Sequence, residues 1–285
     1  STPYDLRTVS LVVDEATPMV TQVGLDDDDD DSRCSDIQFS KDGLKMFLGN
    51  GTGKIFGFDL AAPFDLSNIT YSNNVTGDLG DYPSFRFSND GKKVFLYDQA
   101  GNNHKIKQYT LSSAFDISNP TLVTTYTGTD SQTLKVQVGN KNKTNGLAFS
   151  SDGSKMFVTS DTKITEFTLS NPFDLSNVTY EGRENISDEV AKISGIAFNN
   201  DGSKMFIVDW GTSTSDIHEY NLTCGFGVKK CIDPTSNKDD VASVESQSEG
   251  AKKLIQHTTY PVLNRMEWLR RNSCLLYTSP SPRDS

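Results

Sequence analysis

The residues able to do chemistry are few and scattered. His104 stands in "GNNHKI", His218 in "DIHEY" and His257 far downstream, so no two imidazoles share a short motif. A general base works only within hydrogen-bond reach of the proton it takes. No serine nucleophile elbow, His-Glu-x-x-His pair or phosphate-binding Gly-rich loop is written in the chain. Asp98, Asn102 and His104 fall in one short stretch, and Asp209 and Trp210 open another, "DWGTSTSD". Carboxylate, amide, imidazole and indole at such loops suit contacts to a sugar or a protein ligand, and they are the candidate binding residues. For Trp210 a buried position is the competing expectation. Six consecutive aspartates, Asp26 to Asp31, read first as a solvated, self-repelling loop. A Ca²⁺ site on Asp26, Asp27 and Asp28 is the second reading, although specific loops intersperse Gly and Asn to fold around the ion; a low-complexity artefact is the third. Cys224 and Cys231 close the Gly-rich loop "CGFGVKKC" and are expected to form a disulfide, the alternative being two free thiols.

These residues sit on repeated text. "FSKDGLKMFL", "FSNDGKKVFL", "FSSDGSKMFV" and "FNNDGSKMFI" place an Asp-Gly at Asp42, Asp90, Asp152 and Asp201, at intervals of 48, 62 and 49 residues. Periods of this length that hold several short strands mark the blades of a β-propeller. Each period carries four segments. An inner strand with small residues ("DIQF", "SFRF", "GLAF", "GIAF") leads into the Asp-Gly turn, whose glycine takes φ > 0. A second strand follows ("KMFVTS" and its relatives), ending on Asn50, Asp98, Ser160 or Asp209, which read first as turn caps and only then as ligands. A third strand carries Phe58, Tyr109, Phe167 and Tyr220, aromatics expected in the core between blades. His218 takes a variable position of this strand, held elsewhere by Phe56, Lys107 and Thr165, and is expected at the surface or in the channel. The fourth segment, "APFDLSNITY", "SAFDISNPTLV", "NPFDLSNVTY" and, at the start, "TPYDLRTVSLV", makes a corner and an outer edge strand; Asp65, Asp116 and Asp174 read as its turn formers.

The phrases F-S-x-D-G-x-K-M-F-V, I-x-E-Y-x-L-S and P-F-D-L-S resemble the bacterial propeller repeats of the YVTN and WD-type superfamily, over residues 1 to about 222. The resemblance implies an all-β propeller of four-stranded antiparallel blades that serves mostly as an interaction module, without naming a chemistry. The expected organisation is a partial propeller over residues 1–222, followed over 223–273 by the Cys loop, a polar linker and an amphipathic helix. Val241, Val244, Leu254, Ile255 and Leu263 fall near that helix's apolar stripe, which Pro261 breaks. "AKKLIQHTTYPVLNRMEWLRRN" resembles the segment joining propeller passengers to outer-membrane translocator barrels in autotransporter-like surface proteins; a helix packed on the propeller or on a partner is the plainer alternative. Residues 274–285 resemble a translated sequencing adapter and carry no fold expectation. The first repeat lacks inner strands and the last lacks a P-F-D-L-S, so either the first segment completes the last sheet or, as preferred, blades precede the chain.

A net charge of −11 argues against a nucleic-acid partner. No apolar stretch is long enough to span a membrane as a helix. The expected function is a non-catalytic, secreted or surface-displayed bacterial module that binds a protein or glycan through its loops, with no cofactor beyond a Ca²⁺ option and with a translocator or anchor beyond it. A hydrolase or lyase with acids on the blade loops is one alternative, and an intracellular scaffold another. Asn68, Asn177 and Asn221 start N-x-Thr sequons that matter only in a eukaryotic secretory pathway.

Overall fold

A computed structural model describes residues 34–50, 54–75, 84–98, 104–129, 132–134, 146–209, 216–228 and 240–241. They form four antiparallel four-stranded sheets in a four-blade propeller arrangement, each following its strands in chain order. The first comprises β1 (Cys34–Phe39), β2 (Lys45–Asn50), β3 (Ile55–Leu60) and β4 (Ile69–Val75). The second comprises β5 (Ser84–Phe87), β6 (Lys93–Asp98), β7 (Lys105–Thr110) and β8 (Thr121–Tyr126). A two-residue pair, β9 (Gly128–Thr129) and β10 (Gln132–Thr133), precedes the third sheet of β11 (Leu147–Phe149), β12 (Lys155–Ser160), β13 (Lys163–Leu169) and β14 (Val178–Asn185). The fourth holds β15 (Ile193–Phe198), β16 (Lys204–Asp209), β17 (Ile217–Asn221) and β18 (Asp240–Val241). Inner strands touch in series, β1 to β5, β5 to β11 and β11 to β15.

The second strands of the second and third sheets are apolar on both faces because each of these sheets is packed between two others. Met156 and Val158 join Phe95, Tyr97 and Ile106 of the second sheet, while Phe157 and Ile164 join Met205, Ile207 and Tyr220 of the fourth. At every joint a second-strand phenylalanine meets the inner-strand phenylalanine of the next sheet: Phe47 on Phe87 at 4.6 Å, Phe95 on Phe149 at 4.7 Å and Phe157 on Phe198 at 4.5 Å between centroids. Such ring pairs contribute about 0.5–1.5 kcal/mol each beyond the area they bury. Phe58, Phe167 and Tyr220 are buried as expected, and Tyr109 packs half-buried against the core between the first and second sheets. Phe206 keeps the register of Phe157, opposite an inner-strand alanine. Phe206, Val208, Ile217 and Glu219 are half-buried where Phe157, Thr159, Ile164 and Glu166 are buried, because no sheet follows the fourth among the described residues.

The repeated turns are built alike. Ser40 Oγ donates to Asp42 Oδ1 at 2.6 Å, Asp42 Oδ1 accepts the Leu44 N–H, and Ser40 Oγ accepts the Lys45 N–H. Ser88 with Asp90 and Ser150 with Asp152 repeat this arrangement. The corner then folds back on the turn: Phe64 N–H donates to the Gly43 carbonyl at 2.8 Å, and Phe64 takes a φ of 56°. A Cβ on Gly43 would lie 2.4 Å from the Phe64 ring, so the turn needs glycine for its own φ and for the ring laid over it.

Two expectations change in the fourth sheet. The sequence shows no P-F-D-L-S after Leu222, yet "CGFGV" is that corner: Phe226 has a φ of 53° and donates its N–H to the Gly202 carbonyl at 2.9 Å, as Phe64 does to Gly43. What the corner requires is an aromatic ring over the turn glycine and a buried apolar residue two positions on, and Val228 supplies the latter as Ile117 and Leu175 do. The fourth strand comes from Asp240–Val241, paired with His218 and Ile217, so Val241 is extended and not helical. Backbone pairing at an open sheet edge outweighs the weak helical spacing read there. The segment at residues 2–12, the rest of the apolar stripe and residues 274–285 lie outside the described residues.

Candidate ligand-binding end of the propeller

The up-and-down order of each sheet sorts its connections into two ends. The Asp-Gly turns and aromatic corners, which hold the repeated text, leave from one end. The β2–β3, β6–β7, β12–β13 and β16–β17 hairpins and the links between sheets leave from the other, and their text does not repeat. Asp98, His104 and Asp209 all lie at this second end. Asn102, Trp210, the aspartates Asp26, Asp27 and Asp28, and Cys231 lie outside the described residues.

Asp98 closes β6 and pairs through its carboxylate with Lys107 Nζ at 2.9 Å. Lys107 occupies the β7 position that faces the neighbouring sheet, equivalent to Phe56, Thr165 and His218, and is only 9% exposed. A lysine there needs a counter-ion, because an unpaired buried ammonium costs several kcal/mol (about 3–5 when one partner of such a pair is removed). Asp98 supplies that charge. His104 is buried at the start of β7, its Nδ1 2.6 Å from the Tyr97 hydroxyl. His218, expected at the surface or in the channel, is buried with its ring 6.5 Å from Tyr220. Its position is variable in type but buried in all four copies, and in the second to fourth sheets alternation turns it to the face that meets the preceding sheet.

Asp209 caps: its two oxygens accept the Ala191 and Lys192 N–H groups at 3.2 and 2.8 Å and so fix the link between the third and fourth sheets. Ser160, at the same position of the third sheet, is buried with no hydrogen-bond partner for Oγ among the described residues, so it is not a cap. Asp98 and Asp209 thus sit on different sheets and each is committed to a structural contact.

A second polar cluster, on the inner strands, was not singled out by the sequence. Asp36 Oδ2 accepts from Ser84 Oγ at 2.9 Å, from Phe85 N at 3.0 Å and from Arg86 Nη1 at 2.5 Å. Ser84 Oγ in turn accepts the Leu147 N–H at 3.2 Å, and Gln38 Oε1 accepts the Phe87 N–H. Side chains thereby hydrogen-bond β1 to β5 and β5 to β11. Asp36 and Ser84 standing where Gly146 and Gly195 occur in later copies is the trace this leaves in the alignment of repeats.

The carboxylates with displaced titration lie at the opposite end. Hydrogen bonds from the Ser40 hydroxyl and then the Leu44 N–H hold Asp42 below the usual aspartate range, and the Ser88 and Ser150 hydroxyls do the same for Asp90 and Asp152. Asp65, Asp116 and Asp201 are lowered by the side chains of Ser67, Ser118 and Ser203, and Asp174 by the Ser176 N–H. These are turn carboxylates kept ionised, unsuited to donating a proton near neutral pH. Among the described residues no group of three or more His, Cys, Asp or Glu could hold a metal ion, and no helix is long and apolar enough to cross a membrane.

Fold and repeat together define a β-propeller. No protein-family model matches the chain, and no curated protein matches it. Solved structures similar to it include a provisionally assigned 6-phosphogluconolactonase from Bacteroides uniformis, at 15% identity and a TM-score of 0.45, covering 74% of this chain and 55% of that one. A functionally unknown protein from Desulfotomaculum acetoxidans is similar at 11% identity and a TM-score of 0.43, covering 66% and 65%. Hydrazine synthase from Kuenenia stuttgartiensis is similar at 12% identity and a TM-score of 0.42, covering 68% and 47%. The chain thus spans about half to two thirds of the length of these structures.

Proposed function

We propose that this protein is a non-catalytic binding module, displayed outside the bacterial cytoplasm, which takes a protein or glycan ligand on the end of the propeller formed by its non-repeating loops. The observation carrying this reading is the segregation of text between the two ends: repeated residues build the Asp-Gly and corner turns, and the opposite end is free to vary. Two of the acids at that end are held in structural contacts, Asp98 neutralising Lys107 and Asp209 capping the Ala191–Lys192 link. Hydrolysis of a glycosidic bond asks for two carboxyl groups facing one another across a cleft. Cys224 is disulfide-bonded, with its partner's side chain outside those described; this supports an oxidising compartment and, with the spacing of "CGFGVKKC", a pairing with Cys231. The tail's resemblance to the joining segment of autotransporter-like proteins supports surface display through a translocator or anchor.

The test is a screen of the whole chain against glycan and protein arrays, run beside ester, lactone and glycoside substrates. Binding that falls on Asn102→Ala or Trp210→Ala while the fold is kept is the expected result. Turnover of any substrate, lost on substitution of an acid at the loop end, would replace the binding reading with the hydrolase one.

A further inference from the structure

Two joints of the propeller are closed by the same clamp, and the fourth sheet carries a further copy of it. Between the third and fourth sheets Lys155 Nζ reaches the Phe226 carbonyl at 3.1 Å, while Glu166, opposite Phe157 on the neighbouring strand, accepts the Val228 N–H at 3.0 Å. Between the second and third, Lys93 Nζ reaches the Phe173 carbonyl at 2.8 Å and Gln108, opposite Phe95, accepts the Leu175 N–H at 2.8 Å. In both, one sheet grips the corner of the next by the carbonyl of its aromatic residue and by the N–H two positions on. The corner ring also lies near the second-strand phenylalanine of the sheet before it, Phe173 at 6.3 Å from Phe95 and Phe115 at 6.2 Å from Phe47 between centroids. The fourth sheet repeats every part: Lys204 pairs with Glu219, and Glu219 stands opposite Phe206. The Glu219 side chain is 30% exposed against 8% for Glu166, and no corner is seated on it among the described residues.

We propose that this face of the fourth sheet takes the chain's own residues 3–6, with the Tyr4 ring on Phe206, the Tyr4 carbonyl on Lys204 and the Leu6 N–H on the Glu219 carboxylate. The occupant follows from what the clamp grips. It holds main chain, so it asks only for an aromatic residue that lays its ring on the sheet and an apolar residue two positions later. "PYDL" at Pro3 supplies both, and it differs from "PFDL" at Pro63 and Pro172 only by the ring hydroxyl. Phe64, Phe115, Phe173 and Phe226 each lie over the turn glycine of their own sheet, Gly43, Gly91, Gly153 and Gly202, which leaves Tyr4 as the corner ring outside the described sheets. The first sheet's corner does not fill the site, because Phe206 and Glu219 are half-buried where Phe157 and Glu166 are buried. A tyrosine suits a partly open place, with its ring on Phe206 and its hydroxyl toward water. From Leu6 to Cys34 an extended chain reaches up to about 90 Å, about twice the breadth of a compact unit of this size, so residues 3–6 can cross from the first sheet to the fourth. A carboxylate acceptor makes the amide bond stronger than one between neutral groups.

Amide hydrogen exchange on the whole chain tests this. In the parent the Leu6 amide should exchange about tenfold or more slowly than in an unfolded segment, at every protein concentration. Glu219→Ala and Phe206→Ala should each remove that protection, and Glu219→Gln should keep most of it, as Gln108 serves the earlier joint. Tyr4→Ala tests the contact from the other side without touching the fourth sheet: it should expose the Leu6 amide and lower the melting temperature of the parent, yet lower that of Glu219→Ala little further, since both act through one contact. Circular dichroism checks that each variant is folded. A Leu6 amide unprotected in the parent overturns the proposal, as does protection that survives Glu219→Ala and Tyr4→Ala, or melting losses that add in full. Protection that appears only as concentration rises also overturns it, since the corner seated on this face would then belong to a second copy.

Discussion

The Glu166 carboxylate accepts the Val228 N–H at 3.0 Å, so the third sheet holds the corner of the fourth by its backbone. Glu166 also takes Lys155 Nζ at 2.7 Å, and the same lysine reaches the Phe226 carbonyl at 3.1 Å. One joint earlier Gln108 Oε1 accepts the Leu175 N–H at 2.8 Å and Lys93 Nζ meets the Phe173 carbonyl. The clamp is therefore a device of the repeat, and glutamine serves in it as well as glutamate. Glu166→Ala should lower unfolding free energy by about 2 kcal/mol, the scale of a hydrogen bond to a charged group with its donor left buried. Glu166→Gln should lose less, because the acceptor remains. Urea unfolding of both variants checks the order; equal losses would show that the ion pair, and not the amide clamp, matters.

The turn glycines can be tested apart from the clamp. Gly153 has a φ of 74°, and a Cβ there would stand 2.1 Å from the Phe173 ring. Gly153→Ala combines left-handed backbone strain with a clash and should destabilise by about 1–3 kcal/mol or more. Pairing it with Phe173→Ala removes the clash but not the strain, so the double variant should be more stable than the sum of single losses foretells. Thermal melts of the three variants measure that coupling.

Asp98 and Lys107 distinguish a structural pair from a ligand site. Lys107→Ala leaves the Asp98 carboxylate buried without its ammonium and should cost about 3–5 kcal/mol. Replacing both, as Asp98→Leu with Lys107→Met, should recover most of the loss and leave ligand binding at the loop end intact. A double variant as unstable as the single one would mean that the pair carries more than mutual neutralisation.

Acid should unfold the protein through its turns. Asp42, Asp65, Asp90, Asp116, Asp152, Asp174 and Asp201 all have folded values below the ordinary 3.8. A carboxylate lowered in the folded state adds stability that is fully present above its unfolded value and is lost as pH falls through its folded one. The melting temperature should therefore hold steady down to about pH 4 and drop below it. Asp152→Asn should melt lower than the parent near neutral pH, with the gap narrowing as the pH falls below that point.

Reductant should act on the fourth sheet first. If Cys224 pairs with Cys231, opening that short loop should cost about 2 kcal/mol, and Cys231→Ser should reproduce the effect of reduction. Peptide mapping under non-reducing conditions identifies the partner directly. Amide protection should fall around Phe226 and Val228 before it falls in the first three sheets.

What the residues determined alone was the repeat and most of what the repeat builds. Strand order, the Asp-Gly turn, the aromatic corner and the buried third-strand rings follow from local rules that act the same way in every copy: a glycine where φ must be positive, apolar runs where both faces are covered. The fourth corner hid because "CGFGV" keeps the ring and the apolar residue but drops Pro, Asp and Ser, and only the position of Phe226 over Gly202 shows that these two carry the function of the motif. The roles of Asp98, His218 and Glu166 likewise came from the tertiary structure. Each is decided by what the neighbouring strand or sheet places against it, Lys107 for the first, the preceding blade for the second, the Val228 amide for the third, and such partners, up to 62 residues away, are not written beside them in the chain.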